Sequence, residues 1–204
     1  MNFSAHGLRL ILNPRQPAAR IFVVTGLAWL SAIHAADAPS PAPAAATGTS
    51  APAEASSSLP YKEINRASFK LQYPDGWAED KSAPDYNPDT NFTLKSPDPK
   101  NTYIQFNIVD KSEDPDKVLK ATMVSLDGPA ITALSKTKIE EWGHYKGSGM
   151  HLKGKILDTI PGGIKVFIFN SGTHNVLVVE YYYAQELKDL DADLNFISNS
   201  FTMH

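Results

Sequence analysis

The sequence predicts an α+β domain, in which antiparallel strand pairs are combined with two helices. Three observations carry this. Short apolar runs alternate with period 2 and are separated by Pro, Gly, Asn and Asp clusters, the pattern of strands and turns. One pair of runs, Lys165–Phe169 and Val176–Tyr183, is apolar on both faces, which marks central strands covered on both sides. Two further segments, around Val118–Leu126 and Leu187–Phe201, carry the 3.6-residue stripe of amphipathic helices.

The elements follow in order. Tyr61–Ile64 and Phe69–Tyr73 read as a hairpin joined by Asn65-Arg66-Ala67-Ser68, with Phe69, Leu71 and Tyr73 on one face. Pro74 cannot donate to a ladder and ends the second strand. Gly76 permits the turn that sets Trp77 back over the core. Ala78–Thr90 reads as a loop. Phe92–Lys95 and Tyr103–Val109 are the next strands, joined by the turn Ser96-Pro97-Asp98-Pro99-Lys100-Asn101. Asp114 and Pro115 suit the cap and first position of a helix. Asp116 complements its dipole, and Val118, Leu119, Thr122, Met123 and Leu126 form its apolar face. Gly128-Pro129 stops it. Lys136–Tyr145 and Met150–Leu157 read as strands separated by a Gly147-Ser148-Gly149 break, and Ile160-Pro161-Gly162-Gly163 as a turn. Ser171–Asn175 joins the strongest hairpin. The closing helix presents Leu187, Leu190, Leu194, Ile197 and Phe201, spaced 3, 4, 3, 4, and leaves Asp189, Asp191 and Asp193 to water.

Residues 1–35 read as a secretory signal peptide of the Sec type. Arg9, Arg15 and Arg20 precede an apolar run from Ile21 to Ile33, and no acid appears before Asp37. The run is about 13 residues long, short for a bilayer core of ~30 Å. Cleavage is expected after Ala35 or Ala36; retained, the signal would act as an anchor. Residues 36–60 are mostly Ala, Pro, Ser and Thr with two acids and no aromatic residue, a disordered linker by composition. Residues 61–204 have the length of one domain. The expected location is periplasmic or secreted. The chain carries no cysteine, which excludes disulfides, thiol chemistry and a lipoprotein anchor. Loss of three arginines with the signal takes the formal charge from −3 to −6, which disfavours nucleic acid and anionic lipid as partners.

Taken together, Phe69-x-Leu71-x-Tyr73-Pro74-x-Gly76-Trp77, the small-residue stretch Gly147–Gly154, the Lys165–Tyr183 hairpin and the closing Phe196-Ile197-x-x-Ser200-Phe201 resemble the PsbP-like family. That family is named for an extrinsic photosystem II subunit, and its fold is shared with exported bacterial domains and a nuclear Ran-binding factor. The resemblance spans nearly all of residues 61–204. It implies an antiparallel sheet sandwiched by helices, an exported location in bacteria and no catalysis. Nothing in the chain indicates photosynthesis, and fold analogy does not transfer function.

Each candidate chemistry has a plainer reading. His144, His151, His174 and His204 form no close-spaced ligand pair, although Met150 beside His151 invites a soft metal. Asp85-x-Asn87-x-Asp89 and Asp189-x-Asp191-x-Asp193 lack the glycine and glutamate that a helix–loop–helix calcium site requires, with Thr90 and Leu194 at the sixth positions and Ser96 and Ser200 at the twelfth. Ser148 precedes a strand and reads as a bulge or tight turn, not a nucleophile elbow. Glu140 and Glu141 are strand neighbours and are expected on opposite faces. Gly162-Gly163 lacks the lysine and helix start of a phosphate loop. Alternation splits Tyr181-Tyr182-Tyr183, with Tyr182 opposite the other two. No catalytic, metal or cofactor site is therefore assigned. The expected function is an exported, non-enzymatic binding or assembly module acting on a protein partner in the cell envelope. The alternative is a small-ligand or metal-binding periplasmic domain using the 78–91 loop or the His151 region.

Overall fold

The first two strands form where the alternation puts them. In a computed structural model, which describes residues 60–127 and 130–204, β1 (Tyr61–Asn65) pairs antiparallel with β2 (Phe69–Pro74), and Phe69, Leu71 and Tyr73 are buried. The expected signal, the expected linker up to residue 59 and the Gly128-Pro129 helix stop lie outside the described residues. Trp77 is fully buried.

A short β3 (Ala78–Glu79) leads through the loop to β4 (Asn91–Lys95) and β5 (Tyr103–Asp110). Helix α1 (Pro115–Leu126) starts at the expected cap: the Asp114 carboxylate accepts from the Asp116 N–H at 3.1 Å. Four long strands follow, β6 (Ile131–Trp142), β7 (Tyr145–Ile156), β8 (Ile160–Asn170) and β9 (His174–Tyr183). Helix α2 (Ala184–Ser200) and a short β10 (Thr202–Met203) close the chain.

The strands form two antiparallel sheets. The larger has the order β3-β4-β5-β9-β8-β7-β6, so the doubly apolar hairpin β8–β9 is central, as expected. The smaller has the order β1-β2-β10. The first hairpin therefore stands apart from the main sheet and is completed by the chain end, which reaches it because α2 packs against β2.

Each face of the large sheet has its own core. On one face α2 and the small sheet cover an aromatic pile in which Phe69, Phe92, Phe106 and Phe201 stack at centroid distances of 4.7–5.7 Å. Leu190, Leu194, Ile197 and Phe201 of the expected stripe are buried there. On the other face Val118, Leu119, Met123 and Leu126 of α1 pack on Ile131, Leu152, Ile156, Ile164, Val166 and Ile168. The arrangement is a single α+β domain with helices on both faces of an antiparallel sheet.

The glycine-rich segments depart from expectation. Gly147-Ser148-Gly149 does not break the chain but lies inside β7, and Gly162-Gly163 is not a turn but part of β8. Their missing side chains make room for neighbours. A methyl on Gly149 would lie 2.4 Å from the Val166 carbonyl oxygen and 2.8 Å from the Phe167 ring. The actual turns are at Gly143, with φ +57°, and at Leu157 and Asp158, with φ 49° and 61°. As a result β6 begins five residues before the expected Lys136, at Ile131, and ends at Trp142. Asp193 is also not left to water: it is half-buried, and its Oδ2 accepts from the Trp77 indole N–H at 2.8 Å.

Candidate cleft between α1 and the β6–β7 hairpin

An open cleft of about 510 Å³ lies where α1 passes the β6–β7 hairpin. Its walls come from three stretches distant in sequence: Asp116 and Leu119 of α1, Lys138–Glu141 of β6 and Lys146–Met150 of β7. Ser148 and Met150 lie opposite Ile168 and Val166, so they share the α1 face and line the floor. The small Ser148 side chain, flanked by glycines, keeps the floor low.

Charges of both signs surround this floor. Lys146 donates to Glu141 at 2.8 Å, which holds the Glu141 carboxyl below its ordinary value and the Lys146 ammonium above its own. Lys136, next along β6, is paired with Asp127 at the end of α1. Lys138 and Glu140 form no ion pair among the described residues. The pairing register shifts between Ile139 and Glu141, so strict alternation fails at Glu140 and both glutamates border the cleft. This corrects the expectation that they lie on opposite faces. Ser148 makes no side-chain hydrogen bond among the described residues, and it sits within β7 at the register shift opposite Glu140, a bulge as expected and not a tight turn.

The histidines lie elsewhere. His144 is exposed in the β6–β7 turn, its ring tilted against Tyr145 with centroids 4.2 Å apart. His151 points to the opposite face from Met150, so the two cannot share a metal. There its Nε2 lies 2.7 Å from the Tyr182 hydroxyl. Burial, with Lys153 and Lys165 nearby, lowers its pKa to about 4, so the ring is neutral at pH 7. Tyr182 is opposite Tyr181 and Tyr183 as expected, and Tyr181 stacks on Tyr103 at 4.7 Å.

Beside His151 lies a buried ion pair that the sequence reading missed. Glu180, 2% exposed, is 2.7 Å from Lys165 Nζ and accepts from the Trp142 indole N–H at 2.6 Å. Lys165 and Glu180 each interrupt an apolar run in paired strands, and that was the available signal. Glu186 is likewise buried and accepts from the Asn101 backbone N–H and the Thr102 hydroxyl.

In the 78–91 loop the polar groups bind one another. Asn91 donates to Asp85 at 2.5 Å, Asp80 pairs with Lys95 at 2.6 Å, and Asn87 accepts from the Asp89 N–H at 2.9 Å. A shallow recess of about 500 Å³ borders this loop, against Asn107, Ile108 and Val109. Among the described residues no group of three or more His, Asp or Glu converges as a metal site would require. Asp189, Asp191 and Asp193 are divided in role: Asp189 lies 3.6 Å from Lys100, Asp191 accepts from Asn195, and Asp193 holds Trp77.

No protein-family model and no curated protein matches the chain. Solved structures similar to it include cyanobacterial PsbP from Synechocystis sp. PCC 6803, at 9% identity and a TM-score of 0.47, covering 76% of this chain and 98% of that one. LpqN, described as involved in cell envelope biogenesis of Mycobacterium tuberculosis, is similar at 13% identity and a TM-score of 0.44, covering 71% of this chain and 90% of that one. The Ran-binding protein Mog1p of Saccharomyces cerevisiae is similar at 14% identity and a TM-score of 0.43, covering 71% of this chain and 96% of that one. PsbP and a Ran-binding protein are also the proteins to which the sequence resemblance pointed.

Proposed function

We propose that the chain is an exported, non-enzymatic binding module that takes a protein segment in the cleft between α1 and β6–β7, the partner being a protein of the cell envelope. The observation that carries this reading is the make-up of that cleft. Leu119 and Met150 supply apolar surface, and Met adapts to varied side chains. Asp116, Glu140 and Glu141 stand beside Lys138 and Lys146, so both signs of charge are met within one segment's length. A phosphate-rich ligand or nucleic acid would favour one sign, whereas a protein segment presents both. Ser148 makes no hydrogen bond to a base among the described residues, and His151 lies on the far face, so the cleft reads as contact surface rather than a reacting group. The secretory signal expected in residues 1–35 and the linker expected in 36–60 support an envelope location and reach from a membrane or export site.

A photo-crosslinking residue at Ser148 tests this in envelope extract, with one at Thr173, on the β8–β9 turn, as control. A discrete crosslinked protein from position 148, absent from 173 and lost when Asp116 is changed to Arg, is the expected result. Equal crosslinking from both positions, or none from 148, refutes the cleft as a binding surface.

A further inference from the structure

The large sheet ends in two very unequal edges. β3 has 2 residues, while β6 has 12 and pairs only with β7 among the described residues. β6 is buried at its ends, Ile131 and Trp142, and exposed from Leu134 to Lys138, with Leu134 75% exposed. Such an edge presents a row of unpaired backbone donors and acceptors to any strand of matching character.

The side chains along it select that strand. Lys136 and Lys138 come first, Glu140 and Glu141 second. Lysines on an outer strand ordinarily keep other strands away. A second copy running antiparallel is the exception, because its acidic half then faces the basic half, twice by symmetry. A register centred on Ile139 sets Lys138 of each copy against Glu140 of the other, the two charges that form no ion pair within the chain among the described residues. A parallel copy would set like charges together and is disfavoured.

We infer that two copies of this chain pair antiparallel through β6, joining their seven-stranded sheets into one. Each copy has one long outer edge, so the pair closes instead of growing. The inference goes beyond the binding reading, since the pair forms with the cleft empty.

Sedimentation velocity on the full chain over a micromolar concentration series tests it. K138E makes the charged run wholly acidic at its centre, and E140K makes it basic. Each variant alone is expected to dimerise about tenfold more weakly than the native chain. An equimolar mixture of the two is expected to recover a heterodimer as tight as the native dimer. Raising the native concentration is expected to protect the amides of residues 135–141 from hydrogen exchange. A native chain that stays monomeric, variants that dimerise as the native chain does, or a mixture that recovers nothing each overturns the inference. Ser148→Arg, which fills the cleft from β7, is expected to leave dimerisation unchanged, so loss of cleft binding and loss of the dimer are read separately.

Discussion

Trp77 joins two distant parts of the chain, and its contribution divides into separable pieces. The ring is fully buried among the residues of the aromatic core. Its Nε1 donates at 2.8 Å to Asp193 on α2, 116 residues away in sequence. Truncation to Ala removes a buried aromatic side chain and leaves a cavity, for which a loss of about 3–5 kcal/mol is expected. Trp77→Phe keeps most of the ring and removes the donor. Hydrogen bonds to charged groups contribute roughly 1.5–3 kcal/mol, and the half-buried position of Asp193 places this one near the lower end. Asp193→Ala should therefore cost about 1–2 kcal/mol, since it strands the buried indole N–H. In a double-mutant cycle with Trp77→Phe, the second substitution should cost about 1 kcal/mol less than it does alone. Urea unfolding followed by far-UV circular dichroism, at constant m, reads all of these. A Trp77→Ala loss below about 1 kcal/mol would mean the ring is exposed in solution. Zero coupling would mean that α2 docks without this bond.

Two further perturbations test the opposite end of the sheet. Gly163→Ala would set a methyl 2.3 Å from the Tyr182 hydroxyl and 2.9 Å from the Leu152 carbonyl oxygen. It should destabilise by about 1–3 kcal/mol through overpacking, and an unchanged thermal midpoint would show that the ring moves aside freely. His151 faces Tyr182, Lys153, Lys165 and, beyond Lys165, Glu180, and burial brings its pKa from 6.5 to about 4. The folded value lies below the unfolded one, so the contribution of the neutral ring is complete above pH 6.5 and is lost as pH falls toward about 4. Urea midpoints at pH 7 and pH 5 should therefore fall further for the native chain than for His151→Gln, and equal falls would refute the assignment.

Local signals were legible and cross-strand ones were not. The Asp114-Pro115 cap and the Leu190–Leu194–Ile197 stripe depend on neighbours a few residues away, and both stand where the sequence puts them. Glycine misled because it marks turns only on average. Gly147, Gly149, Gly162 and Gly163 lack side chains because of what an adjacent strand presses against them, such as the Tyr182 ring over Gly163. Conversely, one true turn uses Leu157 and Asp158 in the left-handed region, where no glycine announces it. The cleft was illegible for the same reason: Asp116, Lys138 and Met150 meet only once α1 is docked across β6 and β7. The leucine stripe accounts for one side of α2 and places Asp193 off it, while the bond to Trp77 depends on what packs at the margin of that stripe.

The same buried contacts that were hard to read make β6 usable as a surface. At its end, Trp142 reaches to Glu180 on β9, and Glu180 is neutralised by Lys165 on β8. Removing one partner from such a buried pair costs about 3–5 kcal/mol, because it leaves a charge without compensation. At its start, Ile131 is fully buried under α1. The strand is thus clamped at both ends by interactions that lie away from its exposed middle. Ordering a free backbone costs about 1–2 kcal/mol per residue. In β6 that cost is met within the fold, so a pairing strand has only its own side to order. The clamp also holds the β6 wall of the cleft at a fixed spacing from α1. Lys138 and Glu140 take no part in it. Substitutions there should change what the edge and the cleft accept while the domain keeps its stability, whereas substitutions at Trp142 or Glu180 should weaken the fold and both surfaces together.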